Sequence, residues 1–274
     1  MNSNTNEADL VIESNPIFTG IFSLEGKIAL ITGGGSGIGY EIAQCMALAG
    51  ATVIITGRRE FALKEATEKL GEAVRRPQVH YVVNDVTELD KLEDLVTEIE
   101  THYGAIDVLV NNAGINMKKP ALEVTDQDFN TIIHTNLNSV FALTRAVAKG
   151  MVTRKSGSII MISSMAAYYG IDRVVAYAAS KSGVEGMVKV LASEFSKFNV
   201  RINAIAPGFI ETSMMKTAMG SDPDRMNRAL NRTPMAKFGQ PADIGWAAVF
   251  MASDAAGYIT GTSLPVDGGN SIGF

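Results

Sequence analysis

A tyrosine and a lysine four residues apart, Tyr177 and Lys181 in Tyr177-Ala178-Ala179-Ser180-Lys181, share one face of any helix formed there. Such a pair can move a proton. A free phenol has a pKa near 10, so only ~0.1% is ionised at pH 7, and bringing it to ~7 takes roughly 4 kcal/mol of differential stabilisation. A neighbouring ammonium and the charge of a cofactor could supply that. Taken alone, the same spacing also describes a packed tyrosine beside a surface lysine. Ser164 lies thirteen residues upstream, just past an apolar run at Ser158–Ile162, and Asn111-Asn112-Ala113-Gly114 follows the run Ile106–Val110. Both occupy what would be the carboxyl edge of a parallel sheet, where ligands of such sheets bind.

A second constellation lies near the start. The run Ile28–Thr32 leads into Thr32-Gly33-Gly34-Gly35-Ser36-Gly37-Ile38-Gly39 and then a helical pattern. Glycines there permit positive φ, let backbone approach a pyrophosphate and let the helix pack closely on the strand. The first N–H groups of the helix would face the phosphates. A steric reason alone can also produce a glycine-rich turn after a strand; its place after the first strand favours dinucleotide binding. The second run ends Ile55-Thr56-Gly57-Arg58-Arg59, with glycine where an NAD-selective protein usually carries an acid for the ribose hydroxyls. Arg58 and Arg59 could be ordinary surface cations. Without the acid, their guanidinium forks fit a 2′-phosphate, and NADP(H) is expected over NAD(H).

The elements that must hold these residues alternate along the chain. Short apolar runs (Ile28–Thr32, Thr52–Thr56, Val79–Val83, Ile106–Val110, Ser158–Ile162, Val200–Ile205 and Ser263–Val266) mostly lack polar alternation, as strands covered on both faces do. Pro265 cannot donate to a ladder and assigns the last run to a sheet edge. Between the runs are helical patterns, one opened by Thr87 with Asp90 and carrying Leu89, Leu92, Leu95, Val96 and Ile99 inward. Another is opened by Thr125 with Asp128, with Phe129, Ile132, Ile133 and Val140 inward. Repeated β-then-α units predict an α/β fold with a doubly wound parallel sheet. Residues 1–22 read as an N-terminal extension and 23–274 as a single dinucleotide-binding catalytic domain.

A net charge of -5 argues against nucleic acid or an anionic membrane as the main partner. Cys45 is the only cysteine, so no intrachain disulfide can form, which fits a reducing compartment. The polar N-terminus carries no signal-peptide pattern and no apolar run is long enough to span a bilayer, so a cytoplasmic protein is expected. His80, His102 and His134 are scattered with no second ligand at metal spacing, so no metal site is expected.

Taken in order, TGGGSGIG at 32–39, NDVT at 84–87, NNAG at 111–114, Ser164, YAASK at 177–181 and APGFIET at 206–212 resemble the short-chain dehydrogenase/reductase family from about residue 23 to 270. The resemblance implies a Rossmann-type sheet of order 3-2-1-4-5-6-7 with helices on both faces, and commonly a homotetramer. It implies that Tyr177 is the general acid in reduction and the base in oxidation. Lys181 would lower the pKa of Tyr177 and hold the nicotinamide ribose, and Ser164 would hydrogen-bond the reacting oxygen. Asn136 matches the asparagine that supports a water-linked proton relay to the lysine. Thr32, Gly33, Ser36, Gly37, Ile38 and Gly39 would hold the pyrophosphate, and Arg58 and Arg59 match the NADP(H)-preferring branch. Asp85 and Val86 would contact adenine. Asn112, Ala113 and Gly114 would line the cleft, with Pro207, Gly208, Ile210 and Thr212 clasping the nicotinamide amide.

The expected substrate is a small carbonyl or alcohol. Met214, Met215, Met219 and Met226, with Met235 just after, fall where family members carry a substrate lid. Lys118, Lys119 and Arg173 would suit a substrate carboxylate, or could simply be solvated loop cations. The stretches GINMKKPALEVT and DRVVAYAASKSGVEGM look most like gluconate-type sugar-acid dehydrogenases, so a gluconate 5-dehydrogenase-like activity is expected. The alternatives are a 3-oxoacyl carrier-protein reductase, which shares every motif, and a non-catalytic dinucleotide sensor.

Overall fold

The computed structural model describes residues 20–74, 78–212, 215 and 223–273. Most of the expected N-terminal extension lies outside them. Seven strands, β1 (Ile28–Thr32), β2 (Thr52–Gly57), β3 (Val79–Val83), β4 (Val108–Asn111), β5 (Gly157–Ile162), β6 (Val200–Pro207) and β7 (Ser263–Val266), form one sheet. All pairings are parallel and the order is β3-β2-β1-β4-β5-β6-β7. Pro265 sits in the edge strand β7, where its missing N–H disrupts no interior ladder.

Successive side chains of each strand point to opposite faces, and the apolar runs supply both. Ile31, Val53, Ile55, Val110 and Ile160 pack into one core with α1 (Gly37–Leu48), α2 (Glu60–Val74) and α8 (Pro241–Ala252). Leu30, Ile54, Leu109, Ile159 and Met161 pack into the other with α3 (Leu92–Tyr103), α5 (Ser139–Arg154) and α6 (Val175–Phe195). Each fully buried leucine or isoleucine contributes about 1.5–3 kcal/mol, so the two cores hold the sheet edge rigid beneath its loops. Two further helices, α4 (Asp126–Ile133) and α7 (Pro223–Arg232), complete the described set. Because β1 lies between β2 and β4, the loops after β1 and β4 diverge to opposite faces and leave a crevice between them.

The Thr125–Asp128 capping box at the start of α4 forms as read, with Asp128 N–H donating to Thr125 Oγ1 at 3.1 Å. Two expectations need correction. The fourth strand runs Val108–Asn111 rather than Ile106–Val110; just before it the Asp107 carboxylate, in place of a backbone carbonyl, accepts the Ile28 N–H at 3.0 Å. Thr87 does not cap a helix with Asp90. Its N–H and hydroxyl turn back to Asp85 Oδ1 at 3.0 and 2.8 Å, and a short 3-10 turn (Leu89–Lys91) leads into α3 instead. Among the described residues, no helix is long and apolar enough to cross a membrane.

Candidate active site

A cleft of about 1100 Å³ opens at the carboxyl edge of the sheet over the β1–β4 crevice. Gly33, Ser36, Gly37, Ile38 and Gly39 line it. The loop is held by its partners across the crevice. Thr32 Oγ1 accepts the N–H groups of Asn112 and Ala113, each at 3.0 Å, and Asn112 Nδ2 donates to Thr32 O at 2.9 Å. Thr32 is therefore buried and fastens two loops together rather than facing the cleft. Gly33 turns at φ +68, and a Cβ at Gly39 would lie 2.4 Å from both Gly33 O and Asn112 Nδ2. Only glycine lets α1 begin this close to the turn. Ser36, the N-cap of α1, is extended and makes no side-chain cap bond. The first N–H groups of α1 thus remain available to an anion, as a pyrophosphate requires.

At the far end of the cleft stand Gly57, Arg58 and Arg59 from the end of β2, with Asp85 and Val86 after β3. Arg58 Nη1 is 3.9 Å from Asp85 Oδ2, and both arginines are exposed. Burial acts to raise the Asp85 pKa, but hydrogen bonds from Thr87, with Arg58 and His134 nearby, outweigh it and hold the carboxyl below its ordinary value. Thr56 and Asn84 line the same wall, and Thr56 Oγ1 and Asn84 Oδ1 are buried without a protein partner. Unsatisfied polar atoms in a cleft wall are what a polar ligand would complete. Neither is given a role from sequence, where the signal is adjacency to Gly57 and Asp85 at the strand ends and, for Asn84, the NDVT motif at 84–87.

The other end of the cleft carries Tyr177 and Lys181 from the first turns of α6. Lys181 Nζ lies 5.6 Å from the Tyr177 ring centre and donates to Ile162 O at 2.6 Å. Burial lowers the lysine to about 8, with Glu185 acting the other way. Burial raises the Tyr177 phenol above its ordinary value, and a side-chain hydrogen bond with Ser164 acts against it. The phenol is shifted upward, with burial the larger cause and Ser164 opposing it, so the expected depression of the tyrosine is not a property of this pair by itself. Ser164 caps the turn Met165–Ala167, accepting the Ala166 N–H at 3.1 Å. Asn136 sits fully buried in a π-helical turn, His134–Asn138, between α4 and α5. Its amide is bonded to Ile115, donating to O at 2.8 Å and accepting from N–H at 2.9 Å, and donates to Ser180 Oγ at 3.2 Å. Gly114 allows this convergence, since a Cβ there would lie 3.2 Å from Asn136 Oδ1 and 3.8 Å from Lys181 Nζ. The four polar side chains gather from three separate elements around one end of the cleft.

A family model described as enoyl-(acyl carrier protein) reductase matches residues 33–271. The chain is a short-chain dehydrogenase/reductase. It is 40% identical to the 3-oxoacyl-(acyl-carrier-protein) reductase of Thermotoga maritima over 247 residues, 90% of this chain and 98% of that protein. It is also 40% identical to the 2-dehydro-3-deoxy-D-gluconate 5-dehydrogenase of Pseudoalteromonas atlantica over 248 residues, 90% of this chain and 97% of that one. Among solved structures, a gluconate 5-dehydrogenase of Burkholderia cenocepacia in complex with NADP and tartrate superposes with a TM-score of 0.89 at 32% identity, covering 94% of this chain and all 100% of that one. The protein is therefore an oxidoreductase of this family with a cleft suited to a nicotinamide dinucleotide.

In this short-chain dehydrogenase/reductase the segment after β6 is only partly turned to the cleft. Thr212 lines it, whereas Ile210 is buried and bridged to Gly239, and Gly208 N–H is bonded to Val266 O at 3.0 Å. Pro207 closes β6 and is paired with Val266. Of the expected lid, Met214 and Met219 lie outside the described residues, Met215 is half-buried with its N–H donating to Thr212 Oγ1 at 3.1 Å, and Met226 on α7 and Met235 are exposed. Lys118 and Arg173 are exposed, and the Lys119 ammonium is held by Asp128 Oδ2 at 2.8 Å. Of the histidines, His80 stacks on Tyr103, His102 Nδ1 meets Glu98 O at 2.8 Å, and His134, which lines the cleft, reaches Thr87 O at 3.0 Å.

Proposed function

We propose that this oxidoreductase uses NADP(H) in preference to NAD(H) and interconverts a ketone and a secondary alcohol on a sugar acid or polyol, in the manner of a gluconate 5-dehydrogenase. The observation that carries the substrate class is the Lys119 N–H bonded to Arg173 O at 2.8 Å. It joins the loop after β4 to the loop before α6, so that Lys118 and Arg173 stand on adjoining segments, Arg173 four residues before Tyr177, outside the residues that line the cleft. An anionic substrate suits such a mouth. Lys119, neutralised by Asp128, contributes less. The Burkholderia relative's complex with tartrate and NADP agrees with both halves of the reading. For the coenzyme, Gly57 in place of an acid and two arginines at the cleft wall favour a 2′-phosphate.

In this reading the loop at 33–39 and the start of α1 hold the pyrophosphate, Asp85 and Val86 border the adenine, and Asn112 to Gly114 with Thr212 border the nicotinamide end. When bound, the nicotinamide donates or accepts the hydride. Tyr177 keeps its proton at neutral pH, because burial disfavours the phenolate, and is poised to donate it to a carbonyl oxygen. Ser164, bonded to the same phenol, is placed to stabilise negative charge developing on that oxygen. Lys181 stands behind the phenol with a pKa of about 8, close enough to neutrality to exchange a proton, and Asn136 fixes the Ile115 segment beside it.

The test follows nicotinamide absorbance while purified protein meets a 5-keto sugar acid with NADPH, with NADH and with an acetoacetyl thioester in parallel. Turnover of the keto acid with NADPH, abolished by Tyr177→Phe while NADPH binding persists, is the expected result. Activity on the thioester alone would move the protein to the 3-oxoacyl reductase class, in keeping with its 40% identity to the Thermotoga enzyme.

A further inference from the structure

His134 opens the π-helical turn that carries Asn136, and such turns recur at functional sites. Its ring Nε2 lies 3.0 Å from Thr87 O. A carbonyl only accepts, so Nε2 carries the hydrogen, which both the matching neutral tautomer and the imidazolium allow. Thr87 then donates its N–H and its hydroxyl to Asp85 Oδ1 at 3.0 and 2.8 Å. The second oxygen of that carboxylate, Oδ2, stands 3.9 Å from Arg58 Nη1. His134, Thr87, Asp85 and Arg58 all line the one cleft. The contacts run unbroken from the turn behind the proton-transfer end, through the loop after β3, to the guanidinium at the end of β2.

The geometry points to His134 as a positioning residue for dinucleotide selectivity: by donating to Thr87 O it sets the Asp85 loop, and Asp85 aims the Arg58 guanidinium at the 2′-phosphate of NADP(H). The inference rests on the NADP(H) reading above. Arg58 needs such an aim. Its side chain is 68% exposed, and ordering a free arginine costs rotamer entropy. A carboxylate 3.9 Å away narrows the guanidinium's directions, while solvent keeps the attraction too weak to hold it against a doubly charged phosphate. Asp85 cannot do this from a loose loop. Among the described residues, its Oδ1 accepts from Thr87, and the hydrogen bond that ties Thr87 to a segment outside its own loop comes from His134. The adenine and ribose common to both coenzymes do not need the guanidinium, so loss of the histidine contact is felt by one coenzyme more than the other.

The experiment measures equilibrium binding of NADPH and of NADH, by nicotinamide fluorescence, to the full-length protein and to His134→Ala, His134→Gln, Arg58→Ala and the double variant Arg58→Ala with His134→Ala. His134→Ala is expected to weaken NADPH about fivefold and NADH less than about twofold, and the double variant to bind NADPH no more weakly than Arg58→Ala, as coupled residues do. His134→Gln, which retains a donor, should restore NADPH affinity. NADH binding reports that each variant is folded. Equal losses for both coenzymes, or additive losses in the double variant, would overturn the assignment. So would a silent His134→Ala beside an Arg58→Ala that does lower the NADPH-to-NADH preference, with the NADP(H) reading left standing. An Arg58→Ala that leaves the preference unchanged would instead remove that reading and the role of His134 with it.

Discussion

Replacing Thr32 by valine removes one oxygen and keeps the shape. That oxygen accepts two backbone N–H groups, those of Asn112 and Ala113, each at 3.0 Å, from a side chain only 2% exposed. An unsatisfied buried donor costs about 1–3 kcal/mol, and these two border a cleft that water can enter, so the lower half of the range applies and the pair costs about 2–4 kcal/mol. For a chain of this size each kcal/mol moves the melting temperature by a few degrees, which makes the expected fall about 5–15 °C. Thr32→Ser keeps the acceptor, loses one methyl group and should cost about 1 kcal/mol. Thermal unfolding of the three proteins, followed by circular dichroism, reads the ranking. Amide hydrogen exchange at Asn112 and Ala113 reads the local loosening, fast in the valine variant and slow in the serine one. NADPH affinity should fall with the valine change, because the glycine turn and the loop after β4 are no longer fastened. A valine variant as stable as the parent, or a serine variant as damaged as the valine one, would refute the claim that the hydroxyl joins the two loops.

Gly39→Ala sets a methyl group 2.4 Å from Gly33 O, a backbone atom that cannot swing away, so NADPH affinity should fall at least tenfold by equilibrium titration. Gly71→Ala in α2 is the control: a Cβ there meets nothing within 4 Å, and the change should raise the melting temperature slightly. Lys181 titrates near 8 in the fold against 10.5 in the unfolded chain, so between those values the unfolded chain holds a proton that the fold has released. Stability from this residue therefore rises with pH across that window, by a total of about 3 kcal/mol, and Lys181→Met should abolish the rise along with turnover. Urea unfolding of both proteins across the window measures it as a difference; parallel pH curves would sink the prediction.

Much of the frame is legible in local sequence. Unbroken apolar runs such as Ala29–Ile31 and Val53–Ile55 declare strands buried on both faces, Pro265 declares an edge, and Thr125 with Asp128 declares a helix start, because each depends on residues only a few positions apart. The glycines at 33, 37 and 39, the Tyr177–Lys181 spacing and the position of Ser164 likewise announce themselves, since a turn, a helical face and a strand end are local objects. The order of the strands came from the resemblance rather than from any run, as pairing between distant segments leaves no local mark.

What the tertiary structure decided is which polar atoms are already taken. Thr32 and Asn112, 80 residues apart in sequence, close on each other, so a threonine that reads as a cofactor ligand is a fastener instead. Thr87, which reads as a cap, turns to Asp85, and Lys119, which reads as a substrate cation, is neutralised by the very Asp128 that caps α4. The π-turn around Asn136, the contact of His134 with Thr87 and the unpartnered Thr56 and Asn84 are likewise invisible in sequence. A hydrogen-bonding side chain has a few sites and a reach of about 3 Å. Its role is therefore set by whichever group the packing of two cores brings within that reach, and residue type alone does not specify the partner.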